Sequence, residues 1–174
     1  MLWFALSLAL AQDCEEAQEA VYAASVISFD VGPGVEPAYA EPSNALGPPD
    51  FHEGAGAVSL GNRKKGAAEL VVALGRAVLI DGPGPDLTVH EQGPSAEPTE
   101  LAVSVDGSTW HPVGVIEGAV RSVDLKGKVP KGARFGLVRL RTATRRTTAG
   151  PWAGPDIDAV EVLHACVPAA RNNS

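Results

Sequence analysis

Positive charge is scarce in this chain. Lys and Arg total 14 against 21 Asp and Glu, a formal net charge of −7. That balance excludes a protein built to hold nucleic acid, because phosphate binding needs a cationic field. Cysteine is limited to two residues, Cys14 and Cys166. Two cannot make a disulfide-dense scaffold, and no second Cys or His stands at metal-ligand spacing from either. Aromatic residues make up only 5% of the chain. The longest apolar run, residues 2–11, is about ten residues, half of what a membrane span needs. No segment carries a 3.6-residue apolar stripe beyond a turn or two, which excludes a helical bundle. Catalytic signatures are missing as well. His52, His90, His111 and His164 are scattered without an H-E-x-x-H pattern. There is no G-x-S-x-G elbow, and no glycine-rich phosphate loop lies between a strand and a helix.

What the chain has in quantity is Gly (19) and Pro (14), spread along its 174 residues. This reads as one domain with many turns joining short strands. The N-terminus, "MLWFALSLALAQDCEE", is uncharged and apolar over residues 2–11 and ends in Ala9-Leu10-Ala11. The pattern fits a signal peptide of residues 1–11 cleaved before Gln12; a buried first strand is the competing reading. Residues 12–21 form a lead-in, 22–166 the domain and 167–174 a tail. An exported protein with an even pair of cysteines is expected to join them, so Cys14 and Cys166 are the expected disulfide, with two free thiols as the alternative. The bond requires the two ends of the domain to lie side by side.

Strands are predicted near 23–30, 57–60, 67–74, 77–80, 86–91, 99–106, 119–125, 134–142 and 156–164. Leu101, Val103 and Val105 share one face by period two. Val138 and Leu140 share a face opposite Arg139 and Arg141. About eight or nine short strands with little helix imply an all-β fold, a jelly-roll β-sandwich. Residues 31–56 are too rich in Pro and Gly for regular structure and form a long loop.

Six stretches in order, "YAASVISF", "NALGPPD", "VSLG", "DGPGPDLTVHE", "VSVDGSTWHPVG" and "PDIDAVEVL", resemble the discoidin-like or galactose-binding-like (F5/8 type C-like) domains of bacterial cell-surface proteins. The similarity runs from about Tyr22 to Leu163. It implies a jelly-roll β-sandwich used as a binding module, often for carbohydrate and often with a structural calcium.

The acidic residues offer candidates for that calcium. Asp81 and Asp86 flank two Gly-Pro pairs, and Asp156 and Asp158 open the last predicted strand. Ca²⁺ takes six to eight oxygens from carboxylates, carbonyls and water, and a proline-stiffened loop holds such oxygens in place. Asp158 shares parity with Val160 and Val162, so it is expected to point inward and to need a partner. Glu91 turns inward by the same count from Leu87 and Val89. The alternative is that these carboxylates cap turns. Asp106-Gly107 marks a hairpin, with Trp110 on the returning strand as core or as a sugar platform. Trp152, among glycines and prolines, is the stronger candidate for a ligand-facing aromatic. Asp50 is a second ligand candidate, and Tyr39 and Phe51 are weaker ones. The basic clusters at 63–65 and 139–146 are solvated faces, or a patch for an anionic polymer if the fold brings them together. The expected function is an exported, non-enzymatic binding module for a carbohydrate or another cell-surface ligand, with no membrane span and no nucleic-acid partner. A structural or adhesion domain contacting a surface protein is the alternative. A polysaccharide hydrolase, with two carboxylates across a cleft, is a third.

Overall fold

The computed structural model describes residues 14–51, 56–63, 68–93, 96–119, 121–143 and 150–168. The signal-peptide expectation, His52, Lys64, Lys65, Arg145 and Arg146 lie outside these residues, as does most of the expected tail. Among them run thirteen strands: β1 (Cys14–Glu16), β2 (Val21–Tyr22), β3 (Ser25–Asp30), β4 (Val58–Ser59), β5 (Glu69–Ala73), β6 (Val78–Leu79), β7 (Leu87–Glu91), β8 (Ala96–Ser104), β9 (Trp110–Gly118), β10 (Ser122–Val123), β11 (Leu137–Thr142), β12 (Asp156–Val162) and β13 (Ala165–Pro168). Each of the nine predicted segments contains or overlaps one; β8 begins earlier than expected, at Ala96. β1, β2 and β13 fall outside those segments, and β9 is the returning strand of the hairpin on which Trp110 was expected. β9 is interrupted by Pro112, Gly114 and Gly118, which hide its period.

Three antiparallel sheets form a β-sandwich, as the turn-rich composition implied. One has the order β3-β5-β11-β8-β9. The second has β10-β7-β12, with β2 and β4 both along the far edge of β12. The third is β1-β13-β6. The β1–β13 pair sets Cys14 opposite Pro168 and Glu16 opposite Cys166, so the two cysteines are diagonal neighbours on adjacent strands. The two ends of the domain therefore lie side by side.

The core sits between the sheets. Leu70, Val72, Leu101, Val103, Val138 and Leu140 come from one side; Leu87, Val89, Ile157, Val160 and Val162 come from the other; Phe135 fills between. The expected alternation holds on β11, where Val138 and Leu140 are buried and Arg139 and Arg141 face outward. It fails at Val105, which is 64% exposed. The strand ends at Ser104, and Val105 already belongs to the hairpin loop. In that loop Oδ1 of Asp106 accepts from the backbone N–H of Ser108 and of Thr109, both at 2.8 Å. These two bonds hold its carboxyl below the usual carboxylate range. Gly107, at φ +74°, takes the left-handed position the turn requires.

The long loop contains two single 3₁₀ turns, Pro37–Tyr39 and Pro42–Ala45, each opened by a proline. It packs against the 56–62 and 150–156 segments through backbone bonds: Gly32 N–H to Leu60 O at 2.8 Å, Asn62 N–H to Pro33 O at 2.9 Å and Glu36 N–H to Pro151 O at 2.8 Å. A Cβ on Gly61 or Gly154 would strike neighbouring backbone, so this crossing is available only to glycine.

Candidate functional site

The Gly-Pro stretch at 81–86 is a clasp around one carboxylate. Asp86 is fully buried. Its Oδ1 accepts from the Gly82 N–H at 2.7 Å and lies 3.0 Å from Nδ1 of His164; its Oδ2 accepts from the Leu125 N–H at 2.7 Å. Asp86 thus ties together the loop before β7, the segment after β10 and the turn after β12. Asp81, which is exposed, and Asp124 offer oxygens within 4.8 Å of this group. The three carboxylates suit a hard cation in chemistry. Asp86, however, has three of its lone pairs engaged, and Lys126 lines the same depression. A cation there would draw chiefly on Asp81 and Asp124. Sequence reasoning missed Asp124, which reaches the site only because β10 pairs with β7.

The expectation that Asp156 and Asp158 share an ion with Asp81 and Asp86 is corrected by the register. In the β7–β12 pair Leu87 faces Val162 and Glu91 faces Ile157. Asp86 therefore lies beside Leu163, and Asp156 beside Gln92, about 20 Å away at ~3.4 Å per residue. The parity argument for Asp158 also changes. The register slips between Ile157 and Ala159, so Asp158 is the extra residue of a bulge. It is buried, as expected, and it is paired: Oδ1 accepts from the Asp50 N–H at 3.1 Å. Burial raises its pKa against the opposing hydrogen bonds from the Asp50 and Phe51 backbone. Asp158 fastens the long loop, and Asp50 contributes its backbone to that fastening.

At this end three carboxyls meet. Glu91 is 8% exposed, as parity predicted. Its Oε1 accepts from the Glu97 N–H at 2.8 Å. Its Oε2 is buried and has no hydrogen-bond partner among the described residues. Burial pushes its pKa up to about 8, and the neighbouring Glu97 and Asp156 charges add to the rise. Glu97 is raised by burial and by Asp156. Asp156 is raised by burial, against a hydrogen bond from the Ser59 hydroxyl to its Oδ1. Arg121, whose charge acts against the rise of the Glu91 pKa, spends its guanidinium on the carbonyls of Glu91 and Gly93, both at 2.9 Å.

Next to this cluster is a small cavity of about 30 Å³, lined by Tyr39, Asn44, Phe51, Ser59, Gln92 and Asp156 together with two alanines. Tyr39 meets Trp152 edge to face, with ring centroids 5.8 Å apart. Trp152 is 52% exposed and is held in place by the bridge between Val35 and its own backbone. The fold thus brings Trp152, Tyr39 and Phe51 to one end, next to a carboxylate. Trp110 belongs elsewhere. It lies half-buried on the outer face of the five-stranded sheet, with the Arg139 guanidinium 4.5 Å above its ring, so it is not a core residue. The same face brings Arg63 into line with Arg139 and Arg141. Glu100 lies 2.7 Å from Arg63 and Glu69 lies 2.7 Å from Arg141, so acidic partners offset these cations.

No protein-family model matches the chain, and no curated protein matches it either. Solved structures with some likeness include the C-terminal domain of a chitobiase from Bacteroides fragilis (TM-score 0.47, 16% identity, covering 89% of this chain and 99% of that one). A family 89 glycoside hydrolase from Clostridium perfringens, in complex with its substrate GlcNAc-alpha-1,4-galactose, gives a TM-score of 0.40 at 9% identity, over 84% of this chain and 14% of that one. In another complex, with 2-acetamido-1,2-dideoxynojirmycin, the family 89 enzyme gives 0.35 at 13% identity, over 55% of this chain. The chain spans 10% and 14% of these two hydrolase chains. Likeness at this level transfers neither a binding site nor an activity. Among the described residues, no helix is long and apolar enough to cross a membrane.

Proposed function

We propose that this chain is an exported, non-enzymatic binding module that holds a carbohydrate against Trp152. The supporting observation is the exposed Trp152 ring, braced by Tyr39 beside a polar cavity. A half-exposed indole on a rigid loop crossing offers a flat apolar surface, and the adjoining amide, hydroxyl and carboxylate groups suit sugar hydroxyls. At this end of the molecule hydrolysis is a poorer reading. The cavity next to Asp156 holds about 30 Å³, room for a water or two and not for a sugar ring between two carboxylates. A protein-contact role is also poorer, because the exposed aliphatic side chains are dispersed: Ile27 and Val31 on and just after β3, Val105 in the β8–β9 turn, Val115 on β9 and Leu163 after β12.

The calcium that accompanies this reading belongs to the opposite end of the molecule, on Asp81 and Asp124 beside Asp86. It would stabilise the loops there and would not touch the sugar. Two measurements test the proposal. Titration calorimetry against a panel of neutral and charged oligosaccharides is expected to find a ligand whose affinity falls at least about tenfold in Trp152→Ala with the melting temperature unchanged. Absence of binding across the panel overturns it. Thermal unfolding in EDTA and in millimolar Ca²⁺, with Mg²⁺ as control, tests the ion. Calcium at 100 times its dissociation constant adds about 2.7 kcal/mol. That gain disappears in Asp81→Asn and Asp124→Asn if the site is real.

A further inference from the structure

The cavity beside Trp152 has a one-sided chemistry. Among the described residues of its wall, Asp156 is the only ionisable acid or base apart from the Tyr39 phenol, and none is Lys, Arg or His. Oδ1 of Asp156 takes the Ser59 hydroxyl. Asn44 and Gln92 add amide oxygens, and Tyr39 and Phe51 add ring faces. The Asp156 charge raises the pKa of both Glu91 and Glu97, so the three carboxyls lie close enough to feel one another. The nearby Arg121 is bound to two carbonyls. An anionic sugar would meet an uncompensated carboxylate here. A cation would pair with the Asp156 carboxylate and would sit among aromatic faces that favour it.

Size narrows the choice. A cavity of about 30 Å³ admits a group the size of one or two waters, which an ammonium matches and a pyranose ring exceeds. The ring must therefore stay outside, and the aromatic surface outside is Trp152, in contact with Tyr39 on the cavity wall. We propose that the site selects a sugar bearing a free, protonated amino group, the ring resting on Trp152 and the ammonium entering the cavity to meet Asp156. This rests on the reading of Trp152 as a sugar platform and adds the ligand's charge class to it.

The test changes the ligand before it changes the protein. Titration calorimetry would compare the β-1,4-linked glucosamine disaccharide, its N-acetylated counterpart and a galacturonate disaccharide, on the wild-type chain and on Asp156→Asn and Trp152→Ala. A charge-assisted contact corresponds to about tenfold or more in affinity. The expected result is that the free amine binds at least about tenfold tighter than the acetylated sugar, that galacturonate does not bind, and that Asp156→Asn removes the preference. Trp152→Ala should weaken all binding. Equal affinity for amine and acetamide overturns the inference and leaves the platform standing. An amine preference that survives in Asp156→Asn also overturns it, since the net charge of −7 would then be the cause. No binding of any of these sugars overturns the inference, and failure extended across the wider oligosaccharide panel removes the platform reading as well. Because the comparison of the two disaccharides uses the unaltered protein, it holds even if Asp156→Asn folds poorly.

Discussion

Glu91→Gln is expected to stabilise this protein, and to do so increasingly as pH rises. Glu91 is buried at the end of β7, and its Oε2 has no partner among the described residues. Burial carries its pKa from 4.5 to about 8. A carboxyl whose pKa is raised on folding favours the protonated, folded chain at low pH. As pH climbs past 4.5 the unfolded chain gives up its proton while the folded chain keeps it, so stability falls until the pH passes the folded value. One pH unit corresponds to roughly 1.36 kcal/mol. Glu91 alone therefore removes about 2.5 kcal/mol between pH 5 and pH 7, and about 1.4 kcal/mol more by pH 9, where the loss levels off. Gln keeps the oxygen that accepts the Glu97 N–H and does not ionise. Urea unfolding at pH 5, 7 and 9 would give both stabilities. Glu97 and Asp156, also raised, stay in both proteins, so the difference between the two curves isolates Glu91. In melting temperature the pH 5 to 7 difference is about 5–10 °C for a chain of this size. Curves that run parallel from pH 5 to 9 would refute the reasoning. They would mean that Glu91 is ionised in the folded state and balanced by a cation or a water-filled path.

Asp86→Asn is expected to lose about 2–4 kcal/mol, because its amide nitrogen must face a backbone N–H where an oxygen now accepts. A loss under about 0.5 kcal/mol in urea unfolding would deny it the clasp role. Gly82→Ala places a Cβ inside the His164 ring, so about 1–3 kcal/mol of overpacking is expected, measured the same way. The proposed Cys14–Cys166 bond is checked by alkylating the unreduced, denatured chain and weighing it. No alkylation is expected before reduction, and reduction should then lower stability by an amount on the order of 4–5 kcal/mol for so long a loop.

The chain's own pattern determined a good deal. Short runs between turn signals placed nine strands, and period-two alternation in several of them put Arg139 and Arg141 on the outer face and turned Glu91 inward, because a pleat obliges neighbouring residues to opposite faces whatever the partner strand. Asp106-Gly107 marked its hairpin, because few residue pairs tolerate that backbone. Trp110 shows where such local evidence stops. Its strand position was readable, but its side chain went outward under Arg139, a residue of another strand. The acidic residues show it more fully. Only the antiparallel register of β7 and β12 decided that Asp86 sits beside Leu163 while Asp156 sits a strand's length away. Only the β10–β7 pairing brought Asp124 to Asp86. The bulge at Asp158 broke a parity count that was sound up to that residue. The raised pKa values of Glu91 and Asp156 come chiefly from desolvation by segments distant in sequence. Local pattern dictates which way a side chain leaves its strand; what it meets there depends on register, and register is settled by the packing of the whole sandwich.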